Sequence, residues 1–410
     1  MQPTKLTLLT FVAFLTPAYL IRFTLGGIPT TLLELVIWGV FVWVILRSIS
    51  DDSIRQLWRS RRSWLAPPIL FLLGAFVGLI LSDDLRRALG LFKGFIFGPI
   101  LVYLIALLTL RNKNDLERLA MALVVSSTCV ALLALILWNQ ADRALGPYAL
   151  DANASANYLA FALAPALPLV FTLKKIRPLV RIGIGIIILM GLFISASRAG
   201  IVGALLGFAI GVVLSSKQFW RSLFIQRTFV GVITLSLILS WWLVRPEFSR
   251  STDEGGRVTS SNNVRWQLWS ATGELVRQAP ILGLGLGDFQ ADFTALTRAR
   301  VNYLEYIAPH ARTPHNLFVG IWLETGLLGL AALLLALVLA LRNLFRAVRH
   351  TDTRLVAAGL LGSWSVFLAI GLVDMPIWKN DNLIVFWLII ASSLMIRFDA
   401  RPGAKQGGKS

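Results

Sequence analysis

Long apolar stretches dominate this sequence and limit what it can fold into. There are about twelve of them, each roughly 16 to 25 residues long, and a helix needs about 20 apolar residues to cross the hydrocarbon core of a bilayer. Only 15% of the 410 residues are charged, whereas about a quarter are charged in soluble domains. The sequence therefore predicts an all-α polytopic membrane protein with about 12 transmembrane helices.

The predicted helices divide the chain into four regions. Transmembrane helices 1–9 fall within residues 1–245, a large loop occupies residues 246–314, transmembrane helices 10–12 fall within residues 315–397, and residues 398–410 form a tail. The individual spans are predicted at residues 6–23, 30–47, 64–82, 88–110, 118–138, 155–173, 178–196, 199–215, 228–245, 316–341, 355–373 and 382–396.

The chain carries a formal net charge of +18, and the position of its basic residues decides what this charge means. If the N-terminus is cytoplasmic, the short cytoplasmic segments hold 24 of the 39 Lys and Arg residues. This is the positive-inside bias that orients membrane helices. It predicts that both termini are cytoplasmic and that the large loop is extra-cytoplasmic, and it argues against nucleic acid as a partner.

The other basic residues oppose this bias, because they lie in the extra-cytoplasmic loops or inside spans. A charge near the end of a span is costly without a partner, and an anionic ligand at this face would supply one. Lys93 lies about two helical turns inside a span and is either a site residue or a snorkelling lysine. Arg198 lies in a very short turn and points either to lipid headgroups or into the bundle.

An extra-cytoplasmic segment rich in polar residues, 142–157, ends at a predicted span. Asn153 is either the cap of that helix or part of a phosphate site, because the free amides and the positive dipole end of a helix N-terminus favour anions.

The middle of the large loop indicates an amphipathic helix on the membrane surface. Trp266, Trp269 and Leu275 recur at helical spacing, and tryptophan is enriched at membrane interfaces. The glycine-rich residues 279–288 then predict a flexible turn. They lack the preceding strand and the spacing of a dinucleotide-binding fingerprint.

Histidine is rare in this chain, and two of the three histidines, His310 and His315, fall in the eight residues that precede the span at 316–341. A lone imidazole at a helix start on a cation-rich face suits proton transfer, because its unperturbed pKa lies near the working pH. The alternative is a histidine at a helix terminus with no chemical role. Glu324 is expected to lie on the face of this helix opposite His315 and to pair with a residue of another span.

No metal or other cofactor is expected. The single cysteine, Cys129, lies inside an apolar span, the two histidines near the loop exit lack the spacing of a helical metal site, and the pair Asp83–Asp84 has no third ligand nearby in sequence. Pairing of these aspartates with Arg86 and Arg87 at the helix start is their expected use.

Several motifs resemble those of the bacterial O-antigen ligase and polymerase superfamily. Pro314-His315-Asn316 with Glu324, Gly326 and Gly329 is similar to its PHN-to-E-x-G-x-x-G signature. The remaining matches, in chain order, are Asp151-Ala152-Asn153, where alanine replaces the usual proline; Ser197-Arg198-Ala199-Gly200; Arg265 with Trp269; and Pro280-Ile281-Leu282-Gly283-Leu284-Gly285.

The resemblance implies a GT-C-like glycosyltransferase in the bacterial inner membrane, with its active site on the periplasmic face. It implies an undecaprenyl-diphosphate-linked glycan as donor. In such an enzyme we expect His315 to be the general base that activates the acceptor hydroxyl. Arg198 and Arg265 are expected to bind the diphosphate and to stabilise the charge on the leaving group. Attack by the acceptor hydroxyl from the face opposite the leaving group predicts inversion at the anomeric carbon. Because the sequence has no Asp-x-Asp motif or histidine cluster, arginine is expected in place of a divalent cation. The weaker donor-binding candidates are Arg86, Lys93, Arg143 and Asn153.

Two further residues are candidates for binding the acceptor or orienting the base. Asp374, at the outer end of a span, either serves one of these roles or forms a plain salt bridge with Lys379 or an arginine. Trp269, on the predicted surface helix, suits an acceptor that approaches along the membrane.

The identity of the acceptor stays open within the superfamily. A ligase passes the glycan to lipid A-core, a polymerase to another lipid-linked glycan, and a protein O-oligosaccharyltransferase to a Ser or Thr side chain. The single dominant outer loop favours the ligase. A transporter for an anionic lipid is the alternative from another class, but the sequence shows no inverted repeat and its outward cations cluster on one face.

Overall fold

The chain is a helical membrane protein. A computed structural model describes residues 4–138, 156–161, 177–216, 250–252, 258–298 and 311–396. Within these residues, seven helices are long and apolar enough to cross a membrane, and three shorter apolar helices accompany them. The predicted span at 228–245 and most of the span at 155–173 lie outside the described residues, so the number of 12 stays a prediction.

The first part of the chain consists of seven α-helices and one β-hairpin, joined in places by short 3₁₀ and π-helical turns. Its elements are helix α1 (Lys5–Phe14), a 3₁₀ turn (Thr16–Leu20), strands β1 (Arg22–Leu25) and β2 (Ile28–Thr31), and helices α2 (Leu32–Ser50), α3 (Ser53–Arg61), α4 (Ala66–Leu81), α5 (Leu85–Leu91), α6 (Gly98–Thr109) and α7 (Lys113–Ile136).

The second part contains the helices that carry the candidate site. Its elements are α8 (Pro178–Ile194), α9 (Arg198–Ser215), strands β3 (Arg250–Thr252) and β4 (Val258–Ser260), and helices α10 (Ser261–Gln278), α11 (Phe289–Thr297), α12 (Leu317–Ala347), α13 (Arg354–Gly371) and α14 (Asn380–Met395).

The prediction of one helix over residues 6–23 is wrong beyond Phe14. Pro17 opens a 3₁₀ turn, and proline has no backbone N–H with which to continue the helix. The chain then forms an antiparallel hairpin, β1 paired with β2, in which Arg22 lies opposite Thr31. Gly26 and Gly27 form its turn with φ angles of 57° and 81°, the left-handed conformations that tight hairpin turns need.

Small residues bring the main helices of the bundle close together. Helix α9 presents buried Gly203, Gly207 and Gly211, spaced four residues apart, and packs along α13. Helix α4 packs along α12, and a Cβ added at its Gly74 would lie 2.7 Å from the backbone nitrogen of Gly329. Such small-residue faces are the usual way in which membrane helices gain contact area, because lipid supplies no hydrophobic force between them.

Helix α12 is broken at Gly326, where φ is 67° and ψ is −174°. A break inside a helix leaves backbone groups without partners, and here the glycine loop 279–288 supplies them. The backbone N–H of Leu327 donates to Ile281 O at 2.9 Å, and that of Leu284 donates to Leu323 O at 2.7 Å. The expectation of a flexible turn is therefore wrong, because the loop is bonded along its length to α12. We call this contact the glycine joint.

Glu324 completes the glycine joint. Its carboxylate accepts a hydrogen bond from the backbone N–H of Gly287, and the neighbouring Leu286 N–H donates to Gly78 O on α4 at 2.8 Å. The sequence had indicated that Glu324 pairs with another span. Among the described residues its hydrogen-bond partner is instead the backbone of the loop 279–288. The joint connects the loop to both α4 and α12.

The variant Gly326→Ala is expected to destabilise the protein by about 1–3 kcal/mol, since the backbone at this position is one that only glycine adopts readily. An added Cβ would also lie 2.7 Å from the carbonyl oxygens of Ile281 and Leu282. Thermal unfolding in detergent measures the loss. Gly39→Ala is the control, because nothing lies within 4 Å of its Cβ position in α2. An unchanged melting temperature for Gly326→Ala would contradict the importance of the joint.

Candidate active site

His315 lies in a tight turn directly before α12. Asn316 caps this helix, because its side-chain oxygen accepts from the backbone N–H groups of Phe318 and Val319, each at 3.1 Å. The same side chain donates from Nδ2 to Leu372 O at 3.1 Å, which holds the turn against the end of α13. His315 itself has a φ of 49°, a left-handed conformation that costs about 1–2 kcal/mol in a residue with a side chain.

The imidazole of His315 is paired with the carboxylate of Asp374. His315 Nδ1 and Asp374 Oδ1 are 2.9 Å apart, and Asp374 Oδ1 also accepts from the backbone N–H of Met375 at 2.8 Å. Since a carboxylate accepts, Nδ1 carries the proton and Nε2 of the neutral ring holds a lone pair. In the described part of the chain Nε2 has no hydrogen-bond partner.

The surroundings of Asp374 favour its charged form. Burial alone would raise the pKa of this carboxyl, but the hydrogen bond and charge of His315, the N–H of Met375 and the charge of Arg265 outweigh it and lower the pKa below its ordinary value. Asp374 is therefore an anionic partner for the imidazole. The sequence left Asp374 with acceptor binding or orientation of His315 as possible roles, and this geometry agrees with orientation of His315. In the described structure Asp374 forms its ion pair with His315 and not with Lys379.

Arg265 on α10 and Arg198 at the start of α9 lie in the same electrostatic environment. Burial lowers the pKa of Arg265, the negative charge of Asp374 raises it, and the positive charge of Arg198 lowers it again. Arg265 is thus close enough to feel both the Asp374 carboxylate and the Arg198 guanidinium group. Ser197 caps α9 by accepting from the Gly200 N–H at 3.3 Å, which fixes the turn that carries Arg198. Arg265 therefore connects the carboxylate that holds His315 with the guanidinium group of Arg198.

Trp269 supports the turn that precedes His315. Its indole Nε1–H donates to the carbonyl oxygen of Pro314 at 3.1 Å, and its ring packs edge-on against that of Trp266. Trp266 is 61% exposed and has the outward position that the sequence predicted for a surface tryptophan. Trp269 therefore supports the turn formed by residues 314–316, which we call the histidine turn. Acceptor binding by Trp269 stays a prediction.

The remaining predicted donor-binding residues do not join this group in the described structure. Arg86 is exposed on α5. Lys93 lies in a π-helical turn (Phe92–Phe97), where its ammonium group pairs with Glu34 at 2.9 Å and donates to Pro29 O. Its charge is thus already neutralised by the chain. Arg143 and Asn153 lie outside the described residues.

Sequence analysis missed the residues that tie the loop to the turn between α4 and α5. The Asp288 carboxylate accepts from Ser82 Oγ at 2.9 Å and from the backbone N–H of Asp83 at 3.0 Å. More than 200 residues separate these partners in the chain. The three glycines before Asp288 were a visible signal, but no local pattern indicated what they contact.

The described residues contain no cluster of three or more His, Cys, Asp or Glu side chains that could hold a metal ion. The charged groups linked to His315 are the carboxylate of Asp374, the Arg265 guanidinium group that acts on this carboxylate, and Arg198, which acts on Arg265. This set suits an anionic ligand, because guanidinium forks match the oxygens of phosphate groups.

Replacing Asp374 by Asn should lower the free energy of unfolding by about 1.5–3 kcal/mol at neutral pH, the usual worth of a hydrogen bond to a charged group. A carboxyl whose folded pKa is lowered stabilises the fold above its unfolded pKa, and this contribution is lost as the pH falls through the lowered value. The difference from wild type should therefore shrink at acid pH. Thermal unfolding across pH measures it, with Asp352→Asn on an exposed turn as control. A pH-independent difference would contradict the assignment.

Comparison with known proteins matches this site to a family. Residues 183–334 match the family model described as O-antigen ligase. A protein of Rickettsia prowazekii (strain Madrid E) with the provisional name polysaccharide ligase is 28% identical over 225 residues, covering 52% of this chain and 51% of that protein. A protein of Rickettsia typhi with the same provisional name is 27% identical over the same length, with the same coverage.

The chain spans about half the length of the curated relatives it matches. The segment matched by the family model contains Arg198, Arg265, His315 and Glu324. The resemblance to the O-antigen ligase family is therefore confirmed over residues 183–334.

Proposed function

We propose that this chain is a glycosyltransferase that transfers a glycan from undecaprenyl diphosphate to a lipid A-core acceptor, at the periplasmic face of the bacterial inner membrane. This reaction belongs to lipopolysaccharide biosynthesis. The observation that carries the proposal is the His315–Asp374 pair beside the guanidinium groups of Arg198 and Arg265. The match of the surrounding segment to the O-antigen ligase family supports it.

The two arginines would bind the diphosphate of the donor. Arg265 and Arg198 repel each other, and the carboxylate of Asp374 that acts on Arg265 is already paired with His315, so a diphosphate would offset the remaining positive charge. As the sugar leaves, negative charge grows on the diphosphate oxygen, and the same groups stabilise it in the transition state. We propose that they do the work that a divalent cation does in many sugar-transfer enzymes. The polyprenyl tail would stay among the membrane lipids.

His315 would act as general base on the acceptor. Nε2 accepts the proton of the acceptor hydroxyl, the hydroxyl oxygen forms a bond to the anomeric carbon, and the bond from that carbon to the diphosphate oxygen breaks with its electron pair. Asp374 stabilises the imidazolium that results, since it accepts from Nδ1 throughout. Attack from the face opposite the leaving group inverts the anomeric configuration.

The acceptor distinguishes the ligase from its relatives in the same superfamily. A second lipid-linked glycan would make the chain a polymerase, and a Ser or Thr side chain would make it a protein O-oligosaccharyltransferase. The exposed Trp266 beside the histidine turn suits an acceptor anchored in the membrane, which favours a lipid-linked acceptor over a Ser or Thr side chain. Of the two lipid-linked acceptors we favour lipid A-core, because the sequence has a single dominant outer loop.

The test is glycan transfer by purified protein in liposomes that contain undecaprenyl-diphosphate-linked glycan and lipid A-core, in the presence of EDTA. Wild type should transfer the glycan. His315→Ala should lower the rate by about 10²–10⁴, the usual contribution of a general base, while it still binds the donor. The matched control is His350→Ala, because His350 is exposed after α12 and makes no contact with the site residues in the described structure.

Three outcomes would contradict parts of the proposal. Full activity of His315→Ala would refute the general base. Strict dependence of wild type on added magnesium or manganese would refute the arginine-only leaving-group site. Elongation of the lipid-linked donor with lipid A-core untouched would identify a polymerase in place of a ligase.

A further inference from the structure

The β1–β2 hairpin has one apolar face and one polar face. In an antiparallel pair, residues directly opposite each other point to the same side, and the side alternates along each strand. The register of the hairpin therefore assigns every strand residue to a face. The apolar face carries Phe23, Leu25, Ile28 and Thr30. The polar face carries Arg22, Thr24, Pro29 and Thr31.

The apolar face is exposed on the surface of the protein. Leu25 and Ile28, which flank the turn, are each 59% exposed, and Phe23 is 37% exposed. Nothing lies within 4 Å of the Cβ positions of Gly26 and Gly27 at the tip. Adjacent large apolar side chains on a surface are unfavourable in water and mark contact with an apolar partner.

The polar face is the one that contacts the helical bundle. The guanidinium group of Arg22 lies 5.9 Å from the centre of the Tyr19 ring, and Tyr19 belongs to the buried core. Thr31 caps α2, because its side chain accepts from the backbone N–H of Glu34 at 3.1 Å. The apolar face is therefore turned away from the bundle.

The hairpin lies at a boundary of the hydrocarbon core of the membrane. Helix α2 follows β2 directly, and its 19 residues make it about 28 Å long, close to the roughly 30 Å of that core. The first turn of α2 thus marks the boundary. Each strand has four residues and is only about 13 Å long, so the whole hairpin stays near the lipid headgroups.

Lys93 holds the hairpin beside the first turn of α2. Its ammonium group pairs with Glu34 at 2.9 Å and also donates to Pro29 O. At the base of the hairpin, the backbone N–H of Leu32 donates to Ile21 O at 3.0 Å. One ammonium group in contact with both elements prevents β2 from extending straight away from the bilayer.

The apolar face of the hairpin directly precedes the lipid-facing side of α2 in the chain. The exposed apolar residues of α2 recur every three or four positions, at Leu35, Trp38, Val42, Leu46 and Ile49. A second protein is a poor match for the hairpin, because a stable protein interface buries about 800 Å² on each partner and this face has only four residues. A lipid surface needs no such minimum area.

We propose that the apolar face of the hairpin rests on the bilayer beside α2, with its side chains among the upper parts of the acyl chains. The backbone of the hairpin stays at the level of the headgroups, because the open edges of a two-stranded sheet have unpaired groups that the hydrocarbon core does not tolerate. Lys93 then serves as the anchor of a membrane-contacting hairpin, a role independent of the proposed ligase reaction.

The test measures the membrane depth of labels on the two faces. The single cysteine is first removed by Cys129→Ala, and Leu25→Cys or Thr24→Cys is then labelled with the fluorophore bimane. The full chain is reconstituted at low density into liposomes of phosphatidylethanolamine and phosphatidylglycerol. Nitroxide lipids and aqueous iodide serve as quenchers. Thr24 is the matched control, because it is the exposed neighbour of Leu25 on the polar face.

The label at Leu25 should lie about 5–10 Å into the boundary between headgroups and acyl chains, the depth of amphipathic elements that rest on membranes. Nitroxide lipids should quench it, and iodide should not. Iodide should quench the label at Thr24.

Three outcomes would overturn the inference. Equal quenching of both labels by iodide would show that the apolar face meets water. Shielding of the Leu25 label from iodide without quenching by nitroxide lipids, or only at high protein density, would assign the face to a protein partner or a second copy of this chain. Lipid contact that appears only after a polyprenyl diphosphate is added would assign the face to the tail of the donor.

Discussion

The structure depends on the requirement that every backbone polar group inside a bilayer finds a partner. Helix α12 breaks this rule at Gly326, and the glycine joint restores it through the loop 279–288. Side chains at Gly283 or Gly326 would collide with the backbone atoms that form the joint. The result is that the loop 279–288, α4 and the first turns of α12 are held as one unit. The candidate active site is built on that unit.

The hydrogen bonds that hold the histidine turn contribute more free energy than its left-handed backbone conformation costs. A left-handed conformation at His315 costs about 1–2 kcal/mol. Three hydrogen bonds oppose it, from Trp269 to Pro314 O, from Asn316 to Leu372 O, and between His315 and Asp374. Each is worth about 0.5–1.5 kcal/mol net, and more where a charge takes part. Helix α10 and the segment that follows α13 thus fix the direction of the imidazole before any substrate binds, which is the preorganisation that a general base needs.

The sequence predicted the local features of the protein well. The spans at 199–215, 355–373 and 382–396 follow from apolar runs and agree with α9, α13 and α14 within about two residues. His315, Arg198 and Arg265 were candidates because of their motifs, and Asp374 was a candidate for orienting the base. The break at Pro17 was missed because an apolar run does not reveal where a helix becomes a hairpin.

The long-range pairs could not be derived from the sequence. His315 and Asp374 are 59 residues apart, and Gly287 and Glu324 are 37 residues apart, so no periodic pattern connects them. The pairing of Lys93 with Glu34 was also not predictable from the sequence, because it depends on how α2 packs beside the π-helical turn. Periodicity reports which face of an element is apolar. It does not report which polar group on another element will meet it.

The central claim is that His315, oriented by Asp374, activates an acceptor hydroxyl while the arginines hold the diphosphate leaving group. The most direct test is the anomeric configuration of the new linkage, determined by NMR on product formed from a donor of known configuration. The account predicts complete inversion, because a single attack occurs opposite the leaving group. Retention of configuration would contradict it, since retention requires a covalent intermediate or attack from the same face.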